Sequence, residues 1–201
     1  MEHIYIPGKS ERMLVLLHGT GGDENDLIPI AKYMDSDAHI LSLRGRIKEN
    51  GMNRFFKRVS PGILDYVSLE EETDSVYQFI RDSISAYQLS LKLVTILGYS
   101  NGANMATSIL LTQNPLFTHA ILLRPMMLQI QARNVSLKSS TILLMSGKTD
   151  PNVPAKDPLD LMHLFNRLGA STELHWENTS HQLSQQEIVL VKTWYQNRIK
   201  D

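Results

Sequence analysis

The strongest indication of the fold is the segment Leu91-Lys-Leu-Val-Thr-Ile-Leu-Gly-Tyr-Ser-Asn-Gly102. A short apolar run leads into a G-x-S-x-G sequence formed by Gly98, Ser100 and Gly102, and a helical pattern follows to about Gln113. This order predicts a buried strand, a sharp turn and a helix. Such a turn exposes the serine hydroxyl, and the small glycines let strand and helix pass close to each other. We therefore predict that Ser100 is a nucleophile, with an ordinary strand-to-helix turn capped by this serine as the alternative.

Apolar runs and amphipathic segments alternate along the rest of the chain. Besides the pair just described, strands are expected at residues 13–17, 38–43, 119–123, 141–145 and 171–176, and helices at residues 27–34, 69–89, 155–168 and 185–198. Alternation of this kind predicts an α/β fold, with right-handed crossovers and a mostly parallel central sheet covered by helices on both faces. We expect a single domain over residues 1–201, in which the irregular segment 44–67 forms a lid or a loop covering the site.

A glycine-rich loop, His18-Gly-Thr-Gly-Gly22, follows the first predicted buried strand. Clustered glycines allow backbone N–H groups to turn toward a developing negative charge, as an oxyanion hole requires. The expected donors are the amides of Thr20 and of Asn101, the residue after the serine. A phosphate-binding loop is the alternative, but it fits poorly because neither G-x-G-x-x-G nor a Gly-Lys-Ser/Thr ending is present. We interpret His18 as a structural histidine that anchors the loop.

A serine nucleophile needs a histidine to accept its proton and a carboxylate to orient that histidine. In a strand–turn–helix hydrolase these partners follow the serine in the order acid, then histidine. Asp150 comes just after the predicted strand at 141–145, and His181 follows the last strand. The rival histidine, His175, lies within that strand. Asp157 and Asp160 fall in or near the next helix and are interpreted as capping or solvated charges.

Composition excludes several other classes of protein. The 20 Lys and Arg residues balance 21 Asp and Glu residues, so no basic field attracts nucleic acid. There is no run of 18 apolar residues for a membrane span, and no cysteine for a disulfide, a Cys-based zinc site or a Cys nucleophile. No histidine spacing is typical of a metal site, so neither a metal nor a cofactor is predicted. The first residues lack the pattern of a secretory signal, which predicts a cytoplasmic protein.

Four motifs resemble those of the small α/β-hydrolases of the carboxylesterase and phospholipase family, which includes acyl-protein thioesterase-like enzymes. They are Leu16-Leu-His-Gly-Thr-Gly-Gly-Asp23, Gly98-Tyr-Ser-Asn-Gly-Ala103, Gly147-Lys-Thr-Asp-Pro-Asn-Val-Pro154 and Ser180-His181. The resemblance covers essentially the whole chain, in the family's order and spacing. Within it, Glu49-Asn-Gly-Met-Asn-Arg-Phe-Phe-Lys-Arg58 is similar to a bacterial subgroup of minimal esterases, some of which are associated with resistance to methylhydroquinone-type electrophiles.

The resemblance implies an α/β-hydrolase fold and hydrolysis of carboxylic esters through an acyl-enzyme. The short connections between predicted strands and helices leave no room for a large cap domain, which predicts a minimal cap, an open site and substrates of small to medium size. The resemblance also implies that Ser100, Asp150 and His181 form a catalytic triad and that Thr20 and Asn101 form the oxyanion hole. Thr20 departs from the thioesterases, which carry an apolar residue there, and this argues against a long-acyl thioesterase. The related dienelactone hydrolases use a cysteine nucleophile, which this chain lacks.

The segment 44–67 bears on substrate choice. The candidate substrate-binding residues are Phe55, Phe56 and Met126. The two phenylalanines and the neighbouring cations Arg54, Lys57 and Arg58 would form either an aromatic wall with a basic rim for acidic or aromatic esters, or a surface loop pinned by the rings with its cations solvated. We favour solvation for the cations and core packing for Met126, since methionine fills irregular gaps.

Four further functions stay open as alternatives. Hydrolysis of acyl thioesters or of lysophospholipids would use the same site. A receptor of the hydrolase fold would bind a small molecule without needing the three catalytic side chains, and a peptidase would need a deeper cleft or an added domain. The expected partner is a small ester, and an exposed apolar edge would allow a homodimer.

Overall fold

The protein is described by a computed structural model over residues 1–60, 62–114 and 116–199. Its strands are β1 (His3–Ile6), β2 (Arg12–Leu17), β3 (His39–Leu43), β4 (Ile47–Glu49), β5 (Met52–Arg54), β6 (Arg58–Ser60), β7 (Ile63–Leu64), β8 (Leu93–Tyr99), β9 (His119–Leu123), β10 (Thr141–Gly147) and β11 (Ser171–Glu177). Its helices are α1 (Ile28–Met34), α2 (Tyr66–Ala86), α3 (Asn101–Thr112), α4 (Asp157–Arg167) and α5 (Gln185–Arg198).

Seven of the strands form one sheet in the order β1-β3-β2-β8-β9-β10-β11. Strand β1 runs antiparallel to β3, and all the other neighbours are parallel. The prediction of a mostly parallel sheet in an α/β fold is therefore confirmed. The edge strand β1 was not predicted, because it has only four residues, all partly buried, and its two isoleucines alternate with His3 and Tyr5 rather than forming an apolar run.

Strand β2 explains why the central strands read as continuous apolar runs. Met13, Val15 and Leu17 pack on the face covered by α2, α3 and α4, while Leu14 and Leu16 pack on the face covered by α1 and α5. All five side chains are fully buried. Complete burial of such a side chain stabilises a fold by about 1.5–3 kcal/mol, so both faces of this strand select for apolar residues.

The segment 44–67 is more regular than predicted. It contains two antiparallel hairpins, β4–β5 and β6–β7. The first turns at Asn50 and Gly51, which have φ of 51° and 80°. An Asn-Gly pair favours the left-handed backbone that a two-residue hairpin turn requires, so a local signal for this hairpin was present in the sequence.

Helix α2 begins at Tyr66, three residues before the predicted start at Leu69. The Asp65 side chain accepts a hydrogen bond from the Ser68 amide at 3.0 Å, which satisfies one of the free N–H groups of the first turn. This cap fixes the start of the helix. The acidic residues Glu70, Glu71 and Glu72 therefore lie in the second turn of α2.

The loops that carry most of the predicted site residues lie at the carboxyl ends of parallel strands. They follow β2, β8, β9, β10 and β11, which are five successive neighbours in the sheet. Loops at this edge therefore meet at one place, as is typical of open parallel sheets. Phe55 and Phe56 instead belong to the segment 44–67. Among the helices described, none combines the length and hydrophobicity needed to cross a membrane.

Candidate active site

Ser100 occupies the turn between β8 and α3, as predicted. Its backbone has φ 52° and ψ −111°, a combination that is unusual for a residue with a side chain. Conformations of this kind cost roughly 1–3 kcal/mol and persist only where the surroundings enforce them. Here the Ser100 amide donates a hydrogen bond to the Leu123 carbonyl at 2.8 Å, and its carbonyl accepts from the Asn104 amide at 2.9 Å.

The two glycines of the turn are required by close packing. A Cβ atom on Gly98 would lie 2.5 Å from the Gly102 carbonyl oxygen, and one on Gly102 would lie 2.0 Å from the Leu17 carbonyl oxygen. Both distances are shorter than a carbon atom tolerates. The glycines thus allow α3 to start directly against the ends of β8 and β2.

His181 and Asp150 lie beside the serine. His181 Nε2 is 2.8 Å from Ser100 Oγ, and His181 Nδ1 is 2.8 Å from Asp150 Oδ2. Because the carboxylate can only accept, we assign the imidazole hydrogen to Nδ1, which leaves Nε2 to accept from the serine hydroxyl. The structure brings together the three residues that were expected to form a triad. His175 instead lies on β11, where its ring is half-exposed and faces Glu173.

The loop that carries His181 is held by Arg124, a residue that sequence reasoning missed. Its guanidinium donates to the Ser180 carbonyl at 3.0 Å, to the Thr179 hydroxyl at 3.0 Å and to the Gln182 carbonyl at 2.9 Å. The arginine therefore binds the backbone on both sides of His181.

Arg124 is completely buried, and two buried carboxylates balance its charge. Glu187 Oε1 lies 2.6 Å from Nη2, and Asp150 Oδ2 lies 3.9 Å from Nε. Burying a charge costs several kcal/mol unless such partners offset it. Glu187 also belongs to the capping box that begins α5, where it exchanges hydrogen bonds with Ser184. The available signal was an arginine placed directly after the apolar run Ala120–Leu123, at the functional edge of the sheet.

The glycine-rich loop is anchored by His18, in agreement with the structural role predicted for it. Its Nε2 accepts a hydrogen bond from the Gly45 amide at 3.0 Å, so Nδ1 carries the hydrogen and donates to the Gly19 carbonyl at 2.6 Å. Burial lowers the pKa of His18, which keeps the ring neutral and able to accept this bond.

The amides of Thr20 and Asn101 have no protein acceptor among the residues described. Three consecutive residues of the segment 44–67 hold the groups around them. The Asn53 carbonyl accepts from the Gly21 amide at 2.9 Å, Arg54 Nη1 donates to the Thr20 hydroxyl at 2.7 Å, and the Phe55 amide donates to the Asn101 side chain at 2.7 Å. The hydroxyl at position 20, where the thioesterases have an apolar residue, is thus the acceptor for a buried arginine.

Ser100 opens into a cavity of about 500 Å³. Its described lining consists of Thr20, Arg54, Arg58, Gly62, Leu64, Tyr99, Ser100, Asn101, Asn104, Met126, Pro151, Asn152 and His181. The segment 44–67 supplies one wall of the cavity, through Arg54, Arg58, Gly62 and Leu64.

The structure separates the residues that were expected to bind substrate. Met126 is partly buried and lines the cavity, so the core packing favoured for it is wrong. Phe55 and Phe56 are fully buried in the core and are not part of the lining. The phenylalanines therefore follow the second alternative and pin the segment to the body of the protein. The expectation that the nearby cations are solvated is wrong for Arg54, which is buried beside the glycine-rich loop, and holds for the exposed Lys57. No group of three or more potential metal ligands occurs within the described parts of the chain.

Comparison with known proteins gives clear relatives, although the sequence matches no family model. A Bacillus subtilis (strain 168) protein named "Putative hydrolase MhqD" is 38% identical over 202 residues, which cover 99% of this chain and 100% of that protein. The structure of a Bacillus cereus carboxylesterase superposes with a TM-score of 0.94 at 36% identity, over 98% of this chain and 94% of the other. The structure of YahD with malic acid superposes with a TM-score of 0.92 at 33% identity, over 98% of both chains.

Proposed function

Because the chain belongs to the carboxylesterase and phospholipase family of α/β-hydrolases, a family of esterase-type enzymes, we propose that it cleaves carboxylic esters of small to medium size through an acyl intermediate on Ser100. The observation that carries the proposal is the chain of two 2.8 Å hydrogen bonds from Ser100 through His181 to Asp150, at the wall of an open cavity.

In the proposed first step, Ser100 Oγ forms a bond to the ester carbonyl carbon while His181 Nε2 takes the hydroxyl proton. The carbonyl oxygen becomes an oxyanion, and the amides of Thr20 and Asn101 donate hydrogen bonds to it. Asp150 holds the imidazole in the required tautomer and stabilises the imidazolium that forms.

Collapse of this intermediate breaks the bond to the alcohol oxygen, which receives the proton from His181. Water then attacks the acyl-enzyme as His181 accepts its proton, and a second tetrahedral intermediate releases the carboxylic acid and restores the serine hydroxyl. The strained backbone at Ser100 aims the hydroxyl toward the cavity, and Arg124 keeps His181 within reach of it.

The proposal is tested by the hydrolysis of p-nitrophenyl acetate, butyrate and octanoate. We expect Ser100→Ala to reduce kcat by at least about 10³-fold, since the nucleophile itself is lost. Ser139→Ala is the matched control, because Ser139 is exposed and does not line the cavity. A fluorophosphonate should add its mass to the wild type and to the control, but not to Ser100→Ala. Wild-type rates in Ser100→Ala would contradict the proposal.

Two outcomes of the same assay identify the alternatives. A thioester that is cleaved much faster than the oxygen ester with the same acyl group would indicate a thioesterase. The absence of both turnover and fluorophosphonate labelling would favour a receptor that binds a small molecule in the cavity. The homodimer and the cytoplasmic location expected from the sequence stay predictions.

A further inference from the structure

The cavity beside Ser100 is lined by positive charge. Among its described lining residues, Arg54 and Arg58 are the ones with permanently charged side chains, and both are cations. The nearby Asp150 is not part of the lining, because its carboxylate lies beneath His181 and close to Arg124. A ligand in the cavity therefore meets two guanidinium groups and no carboxylate of the described lining.

Arg54 is held rigidly next to the proposed oxyanion hole. Its side chain is only 5% exposed, its Nε donates to the Phe56 carbonyl at 3.1 Å, and its Nη1 donates to the Thr20 hydroxyl at 2.7 Å. Its Nη2 has no protein acceptor among the residues described. Burial lowers the pKa of Arg54, which reflects a desolvation cost that a bound anion would reduce.

Arg58 and Arg54 share a single counter-charge. Glu49 Oε1 lies 2.6 Å from Arg58 Nε, and Glu49 Oε2 lies 3.3 Å from Arg54 Nε. Two guanidiniums and one carboxylate leave a net charge of +1 at this wall. The terminal nitrogens of Arg58 have no acceptor within the described residues, and its side chain is 26% exposed. Arginine forks of this kind bind carboxylates through charge-assisted hydrogen bonds.

We propose that the preferred substrates are anionic esters, in which a second, free carboxylate is bound by Arg54 and Arg58 while Ser100 attacks the ester carbonyl. Half-esters of dicarboxylic acids belong to this class, as do hydroxybenzoates that are acylated on the phenolic oxygen and keep a free carboxylate. The inference deepens the proposed function and rests on it. Binding of an anion would also explain why the buried Arg54 lies beside the glycine-rich loop with Nη2 lacking an acceptor among the described residues.

Two pairs of substrates test the charge without changing the shape. The first pair is p-nitrophenyl hydrogen adipate and its terminal amide, which place the group on the acyl side. The second pair is para-acetoxybenzoate and para-acetoxybenzamide, which place it on the alcohol side and cannot react intramolecularly. We expect the anionic member of at least one pair to have a kcat/KM about tenfold higher or more, as one charge-assisted hydrogen bond would give.

Variants of the three charged residues assign the preference to this wall. In Arg58→Gln the remaining Arg54 is neutralised by Glu49, so the preference should fall to about threefold or less. In Glu49→Gln both guanidiniums lose their shared counter-charge, so the preference should rise. Lys57→Gln is the matched control, because it removes a neighbouring exposed cation that does not line the cavity. The control should keep the wild-type preference.

The outcomes separate this inference from the proposed function. Turnover of the amides at rates equal to those of the carboxylates would overturn the inference and leave the esterase standing. An equal loss of preference in Lys57→Gln and Arg58→Gln would also overturn it. The preference would then come from the overall positive charge of the segment and not from direct binding by the cavity arginines. If no ester were cleaved, the proposed function would fail. Binding of adipate would then test the anion site without any turnover. A higher melting temperature for the wild type but not for Arg58→Gln would support the site, and an unchanged or equal melting temperature in both would overturn it.

Discussion

Ser100 and His181 face each other across one hydrogen bond, yet the protein positions them by different means. Ser100 sits in a turn whose shape follows from the residues on either side, Gly98 and Gly102, and from the carbonyl of Leu17 against which the helix packs. His181 lies in a loop held by a buried arginine that is more than 50 residues away, Arg124. The difference shows that one member of the proposed catalytic pair is positioned by close backbone packing and the other by a distant buried charge.

The two arrangements should also fail differently. The serine turn is sensitive to added volume, because it depends on the absence of side-chain atoms. The histidine loop is sensitive to the loss of a charge, because it depends on a cation among buried carboxylates.

Replacing the buried guanidinium should have the largest effect on stability. Arg124→Met leaves Asp150 and Glu187 as buried carboxylates without their cation, which should lower the free energy of unfolding by about 3–5 kcal/mol. Displacement of His181 should reduce kcat by about 100-fold, since even small misplacement of a catalytic group is costly. Urea unfolding and ester hydrolysis check both effects. The exposed Arg133 provides a control, because Arg133→Met should cost less than about 1 kcal/mol.

Adding one methyl group should disrupt the serine turn. In Gly102→Ala the new Cβ would meet the Leu17 carbonyl oxygen, and the shift of α3 should cost about 1–3 kcal/mol and reduce fluorophosphonate labelling of Ser100. Gly51→Asn is the control, because the Gly51 site is open and asparagine tolerates a positive φ. Equal stability of the two variants in thermal unfolding would mean that the serine turn can accommodate a side chain.

The neutral state of His18 should make the support of the glycine-rich loop dependent on pH. Burial lowers the pKa of His18 in the folded chain, while the unfolded chain takes up a proton near the ordinary pKa of about 6.5. Between these two values unfolding binds a proton, so the free energy of unfolding falls as the pH falls, by at most about 1.4 kcal/mol per pH unit. Above pH 7 this contribution is fully present.

Urea unfolding between pH 8 and pH 5 measures this dependence. His18→Gln should show a smaller decrease than the wild type, since glutamine does not titrate. His163→Gln should behave as the wild type does, because that imidazole lies exposed on α4. An unchanged slope in His18→Gln would mean that other groups carry the effect.

Removing the cap of α5 should have the smallest effect and would sharpen the role of Arg124. Ser184→Ala deletes the hydroxyl that accepts from the Glu187 amide, which should cost about 1 kcal/mol of stability. Because Arg124 still binds the loop, kcat should fall far less than in Arg124→Met. A loss of kcat as large as in that variant would mean that the helix cap, rather than the arginine, positions His181.

The elements that the sequence predicted well are those in which neighbouring residues carry the signal. Helix α5 and strand β9 both have the predicted bounds. The apolar run Ala120–Leu123 marks β9, and the capping-box residues Ser184 and Glu187 mark the start of α5. The edge strand β1 and the start of α2 were missed. Strand β1 forms because it pairs with β3, and α2 begins at Tyr66 because the Asp65 side chain caps it. Neither feature produces a strong periodic pattern in the sequence.

The class of fold, the serine turn and the identity of the residues that meet Ser100 could all be predicted from the sequence alone. Strand ends in a parallel sheet lie along one edge, so the positions of Asp150 and His181 after their strands already implied that they converge. Only the tertiary structure revealed that Arg124 holds the His181 loop, that Asn53, Arg54 and Phe55 brace the proposed oxyanion hole, and that two arginines line the cavity. Those contacts join residues far apart in the chain, and the energy of a buried charge depends on partners that no local pattern records.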